Sequence, residues 1–150
     1  MGEIERIKRL VSYYKKIYGT NNPFEIADHL GILYQIGNCK HEGCYMFLKN
    51  HRYIFLSNRL SGVELKVVMA HELAHAIFDR KENCYFIRNK TLLLNSKTEH
   101  RANHFAAHLL IDDDLLEYYE DFTREQFCNC TGFPKELIEL RLKQKMQGVN

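Results

Sequence analysis

The sequence predicts one compact domain of mixed helices and strands, and three observations carry that prediction. An amphipathic helical stretch opens the chain and short helices close it, short β-like runs lie between them, and no repeat, linker or low-complexity tract divides the 150 residues. A chain of this length buries roughly 68–70% of the surface its unfolded form exposes, which is enough for a core without disulfide staples.

Taken in order, Glu3 to Tyr18 places Ile4, Ile7, Leu10, Val11, Tyr14 and Ile17 at three- and four-residue intervals, the spacing of an amphipathic helix, and Gly19 ends it. Asn22-Pro23 joins a capping side chain to a residue pre-set for the first helical turn, so a short helix runs from Pro23 to Leu30 and stops at Gly31. Ile32 to Ile36, Cys44 to Leu48 and Tyr53 to Ser57 read as strands of a small antiparallel sheet, the last two flanking a Lys49-Asn50-His51-Arg52 turn. Ser61-Gly-Val-Glu64 has the capping-box form and opens a helix from Val63 to about Asp79. After a connection through Asn83, Tyr85 and Asn89, Ser96-Lys-Thr-Glu99 opens another helix, to about Ile111. The tail from Asp112 to Lys145 holds two or three short helices, with Thr123 as a cap and Pro134 as a first helical position.

Composition removes several function classes. With 21 Lys+Arg against 19 Asp+Glu, the formal net charge of +2 argues against strong non-specific nucleic-acid binding. A loose helix-turn-helix resemblance in the tail, Thr123 to Glu136, is offset by the balance of Lys135, Arg141, Lys143 and Lys145 against Glu136 and Glu139. No apolar stretch approaches the roughly 20 residues of a membrane span, and the first residues mix charged with apolar positions, so a cytoplasmic protein is expected. Five cysteines are an odd number and fit reduced thiols better than a disulfide framework. Cys39-Lys-His41-Glu-Gly-Cys44 lacks the second pair that a structural zinc site needs.

His71-Glu-Leu-Ala-His75 is the HExxH pattern. On a helix its two imidazoles lie about 40° apart and can grip one metal ion, while Glu72 is offset by about 60° from His75, suited to a base acting on water. The surrounding Val67, Val68, Met69, Ala70, Leu73, Ala74, Ala76, Ile77 and Phe78 make this helix apolar almost all round, hence buried. Two histidines and a carboxylate are costly to bury unless paired or coordinated, and a metal ion meets that need.

Catalytic zinc takes three protein ligands and keeps one position open. The metzincin pattern is excluded, because Phe78 and Lys81 stand where it requires Gly and His. The third ligand must come from another helix. On the helix from Ser96, the apolar arc runs through Ala102, Phe105, Ala106, Ala107, Leu109 and Leu110, and Glu99 and Asn103 are the polar residues within it. Glu99 is therefore favoured. His100, His104 and His108, beside Arg101, fall on what reads as a rim or solvent face; one of them, or the Asp112-Asp113-Asp114 run, is the alternative. That acidic run reads better as the start of the next helix.

His71-Glu-Leu-Ala-His75 followed by Glu99-His-Arg-Ala-Asn103-His-Phe-Ala-Ala-His-Leu-Leu-Ile111 resembles the ImmA/IrrE family of bacterial and phage zinc metallopeptidases. The resemblance extends upstream through Asn22-Pro-Phe-Glu-Ile-Ala-Asp-His-Leu-Gly31 and downstream into the tail. Two departures are visible: Ala74 replaces a common Gly, and Asp112 stands where Pro often follows; neither removes a ligand. The resemblance implies an α+β zincin-like domain, a single zinc ion held by His71, His75 and Glu99, and Glu72 as the catalytic base. It also implies a site-specific endopeptidase or anti-repressor acting on a helix-turn-helix repressor, often in a prophage or other mobile element. An oxyanion-stabilising donor is still needed, for which His104 and Tyr85 are candidates. Asn103, one turn from Glu99, is placed to orient a ligand or to make an ordinary helix–helix hydrogen bond. The competing reading is a zinc-stabilised module that inactivates a repressor or antitoxin by binding, without cutting it.

Overall fold

The computed structural model describes residues 1–82 and 96–143 together with the backbone of 84–86. Asn83 and Asn89 lie outside the described residues. Within them helices and strands are segregated, in an α+β arrangement. Helix α1 (Glu3–Tyr18) buries Ile4, Ile7, Val11 and Tyr14, the predicted stripe, and ends at Gly19, whose φ of 70° is the left-handed conformation that glycine adopts without strain. Helix α2 (Pro23–His29) begins as the Asn22-Pro23 pair demands, with the Asn22 side chain accepting from the Phe24 N–H at 3.0 Å.

Strands β1 (Leu33–Gly37), β2 (Gly43–Leu48), β3 (His51–Ser57) and β4 (Cys84–Phe86) form one sheet in the order β1-β3-β2-β4. The expected antiparallel sheet is a mixed one. β2 runs antiparallel to β3 and β4, but β1 passes β2 and pairs parallel to β3, with Leu33 opposite Tyr53. The turn between β2 and β3 is tighter than predicted: Lys49 and Asn50 take φ of 48° and 62°, a two-residue hairpin turn whose twist matches the strands, and His51 and Arg52 join β3.

Helix α3 (Gly62–Phe78) lies on this sheet and is buried from Val67 to Ala76. The capping box expected at its start does not form. Gly62 turns the chain with φ of 56°, and Ser61 makes no side-chain cap. Tyr45, Ile54 and Leu56 are fully buried in the same core as the apolar residues of α3. Gly43 is needed for the close approach: a Cβ there would lie 2.6 Å from Val68 Cγ1 and 3.4 Å from Glu72 Cγ. Arg52 then ties the layers together, donating to the carbonyls of Leu30 at 2.7 Å and Ala76 at 3.3 Å.

Helix α4 (Lys97–Leu110) packs against α1, α3 and the last helix, α7 (Lys135–Leu142). Between them run α5 (Asp113–Tyr118), capped by the Asp112 carboxylate on the Leu115 N–H at 2.9 Å, and α6 (Arg124–Thr131), opened by a full Thr123–Gln126 capping box. Pro134 caps α7 from just outside, one position earlier than predicted. Among the described residues no helix is long and apolar enough to cross a membrane. Cys39, Cys44, Cys128 and Cys130 are free thiols.

The histidine row of α4 is not a solvent face. His100, His104 and His108 are 9%, 1% and 3% exposed, because α1 and α7 cover the sides of α4 that α3 leaves open. Burial, reinforced by His100 and Lys143, lowers the His104 pKa to about 4; burial, reinforced by Arg141, His104 and Lys8, lowers His108 to about 3. Both are therefore neutral in the fold at neutral pH. Their unfolded-state pKa is about 6.5, so the unfolded chain gains protons that the fold cannot take up as pH falls from there towards about 4. In metal-free protein these two histidines are expected to remove roughly 2–3 kcal/mol of unfolding free energy between pH 7.5 and pH 5.5, read in urea titrations as the difference between the pH slopes of wild type and a His104→Gln/His108→Gln variant, to which all other groups contribute alike. Equal slopes in the two proteins would rule these two histidines out.

Candidate metal centre

The HExxH turn sits in the most buried part of α3, with His71, Glu72 and His75 at 1%, 0% and 0% exposure. The helical step of four residues brings His75 Nε2 to 3.1 Å from His71 Nε2. From α4, where the Ser96 cap fixes the first turn, Glu99 reaches both: Oε2 lies 2.9 Å from His71 Nε2 and Oε1 lies 3.1 Å from His75 Nε2. The sequence thus brings together the three residues named as ligands, and among the described residues they form the group whose donor atoms converge, all within 4.8 Å of one another. Neither the Cys39–His41–Cys44 segment nor the Asp112–Asp114 run forms such a group.

Electrostatics sort the two carboxylates. Burial alone would raise the Glu99 carboxyl, but hydrogen bonds and charge from His71 and His75 outweigh it and hold the carboxyl down at about 2. Glu72 lacks such hydrogen bonds, and the charge of His75 only partly offsets its burial. Both of its oxygens are buried without a hydrogen bond, and burial pushes its carboxyl up to about 8. A buried carboxylate left without donors is costly unless a cation or a reacting water occupies the space it faces. Two imidazole nitrogens and a carboxylate beside it are the donor chemistry of a catalytic metal site with an open position. The residues therefore fit a metal ion.

Asn103, 1% exposed, is hydrogen-bonded through its side chain to His71. His104 is elsewhere: five positions after Glu99, it turns to α7, where it meets the Leu140 backbone and lies near Lys143. Tyr85 pairs with Cys44 in β4, and its side chain lies outside the described residues. Sequence reasoning missed Asp79 and Arg101. Asp79 Oδ2 lies 3.0 Å from His75 Nδ1, and Asp79 Oδ1 accepts from Arg101 Nη2 at 2.6 Å. The signal was present as an Asp four residues after the second histidine, one helical turn on. In the tail, Arg141 is 8% exposed and donates to the Ile111 carbonyl at 2.6 Å and to Asp113, while Lys135 faces Glu139, so these cations are already engaged inside the chain.

Comparison with known proteins agrees with this geometry. An immunity region protein of Bacillus phage phi105, described as uncharacterized, is 34% identical over 144 residues, which cover 93% of this chain and 91% of its own. The metallopeptidase ImmA of Bacillus subtilis strain 168 is 29% identical over 146 residues, covering 92% of this chain and 85% of its own. The Peptidase_M78 family model, described as the IrrE N-terminal-like domain, matches residues 26–143, from within α2 to the end of α7. These matches support a metallopeptidase role and imply a metal. With most of its length inside that match, the chain belongs to the Peptidase_M78 family.

Proposed function

We propose that this chain is a zincin-like, zinc-dependent endopeptidase that hydrolyses a peptide bond in a protein substrate, a helix-turn-helix transcriptional repressor. The observation that carries the reading is the convergence of His71, His75 and Glu99 beside a buried carboxylate, Glu72, that has no partner of its own. His71, His75 and Glu99 would hold the zinc, and Glu72 would be the base. When bound, zinc supplies Lewis acidity, acidifying water and polarising a carbonyl. Glu72 accepts the proton of the attacking water and returns it to the leaving amine as the peptide bond breaks. Asn103 holds His71 in orientation.

The repressor as substrate, an anti-repressor role in a prophage or mobile element, and action in the cytoplasm rest on kinship: one relative is named for a phage immunity region and another is a metallopeptidase. The test is intact-mass spectrometry of the helix-turn-helix repressor encoded nearest to the gene, incubated with the zinc-loaded protein. Two complementary fragments are expected, lost on treatment with EDTA and restored by zinc. An uncut repressor held in a stable complex would overturn the peptidase reading in favour of inactivation by binding.

A further inference from the structure

The HExxH helix ends at Phe78, and Asp79, its C-cap, has left helical geometry with φ of −123° and ψ of 44°. Its backbone N–H still donates to the His75 carbonyl at 2.8 Å, so the residue is fixed at both ends: main chain to main chain, and carboxylate to the imidazole of the same histidine at 3.0 Å. An isolated carboxylate 8% exposed would be unfavourable. Arg101 removes that difficulty from the neighbouring helix, with Nη2 2.6 Å from Oδ1 and the guanidinium 5.1 Å from the centre of the Phe78 ring. Glu3 of α1 completes the chain at 3.7 Å from Arg101 Nη1.

Two consequences meet at His75. A carboxylate engaged by a guanidinium accepts and does not donate, so the His75 Nδ1 facing it carries the hydrogen, and the Nε2 lone pair faces His71 and Glu99. Arg101 also stands two residues beyond Glu99 on the same turn of α4, so the Asp79–Arg101 pair cross-links the helix bearing the two histidines to the helix bearing the third donor.

We propose that Asp79 and Arg101 are positioning residues of the metal centre, Asp79 setting the tautomer and ring plane of His75 and Arg101 setting the register of Glu99 against the histidines. The inference rests on the metal-site reading above and adds residues outside the donor set. Glu3, whose contact with Arg101 is the longest of the set at 3.7 Å, contributes little.

The test uses the full chain and zinc alone, in competition with a chromophoric chelator. Asp79→Asn and Arg101→Gln are each expected to bind zinc roughly 10–100-fold more weakly than wild type, and the double variant about as weakly as the weaker single one, because the two act as a unit. Glu3→Gln should stay within about twofold of wild type. The visible spectrum of the cobalt-substituted protein should change in Asp79→Asn, reporting altered geometry at His75. Far-UV circular dichroism and the unfolding midpoint of the metal-free variants separate folding from positioning. Asp79→Asn that binds zinc as wild type does, with only its midpoint lowered, would make the pair a structural clamp and overturn the proposal. Wild type that binds zinc no better than His71→Ala would overturn the metal-site reading itself.

Discussion

Glu72→Gln is expected to abolish hydrolysis of the protein substrate, lowering kcat by about 10²–10⁴-fold, while leaving metal binding and fold intact. The substitution preserves shape and removes the atom that accepts the proton. It should cost no stability, since Glu72 is fully buried and neither of its oxygens has a partner in the fold. Replacing an unpaired buried carboxyl with a neutral amide relieves desolvation, so the metal-free variant should unfold at the same temperature as wild type or higher. Single-turnover cleavage followed by intact mass, together with thermal unfolding, reads both halves. Cleavage at the wild-type rate would remove Glu72 from the chemistry.

The second large effect is expected at Glu99. Glu99→Ala deletes one of three donors and leaves His71 and His75 facing each other at 3.1 Å. If the free energy of zinc binding divides over its donors as in small zinc domains, each contributes about 3 kcal/mol, so affinity should fall by at least ~100-fold. Wild type should show a rise in unfolding temperature that grows with zinc concentration, as binding to the native state requires, and Glu99→Ala should show little or none. Equal zinc content in the two after dialysis would show that Glu99 is not a ligand.

What could be read from the sequence, and what could not, follows from which interactions are local. The HExxH helix is legible twice, from the motif and from an apolar surface that leaves it no solvent side. Glu99 is legible because an acidic residue inside an apolar helical arc needs a partner there, and its neighbours in space supply two imidazoles. The same wheel misplaced His100, His104 and His108. It scores one helix against one core, whereas α4 is enclosed by α1, α3 and α7, and only tertiary packing says so. The direction of β1 was invisible for a related reason: period-two alternation marks a strand but carries no sign for parallel or antiparallel pairing. The missing cap at Ser61 shows a glycine overriding a capping signal through its own φ. Asp79 was overlooked because its role depends on Arg101, 22 residues further along.

The placement of β1 beside β3 has a kinetic side. β2 and β3 are joined by two residues, so their hairpin can close within roughly 1–10 μs of collapse. β1 reaches its place only by passing β2, and it needs β3 as a template, Leu33 against Tyr53. The platform beneath the HExxH helix is therefore built on one local pairing at its centre, with β1 and β4 as edges held by contacts distant in sequence. Asparagine tolerates left-handed backbone and lysine does so poorly, so Lys49, with its φ of 48°, carries the larger share of the conformational cost of closing the hairpin on which both edge strands dock.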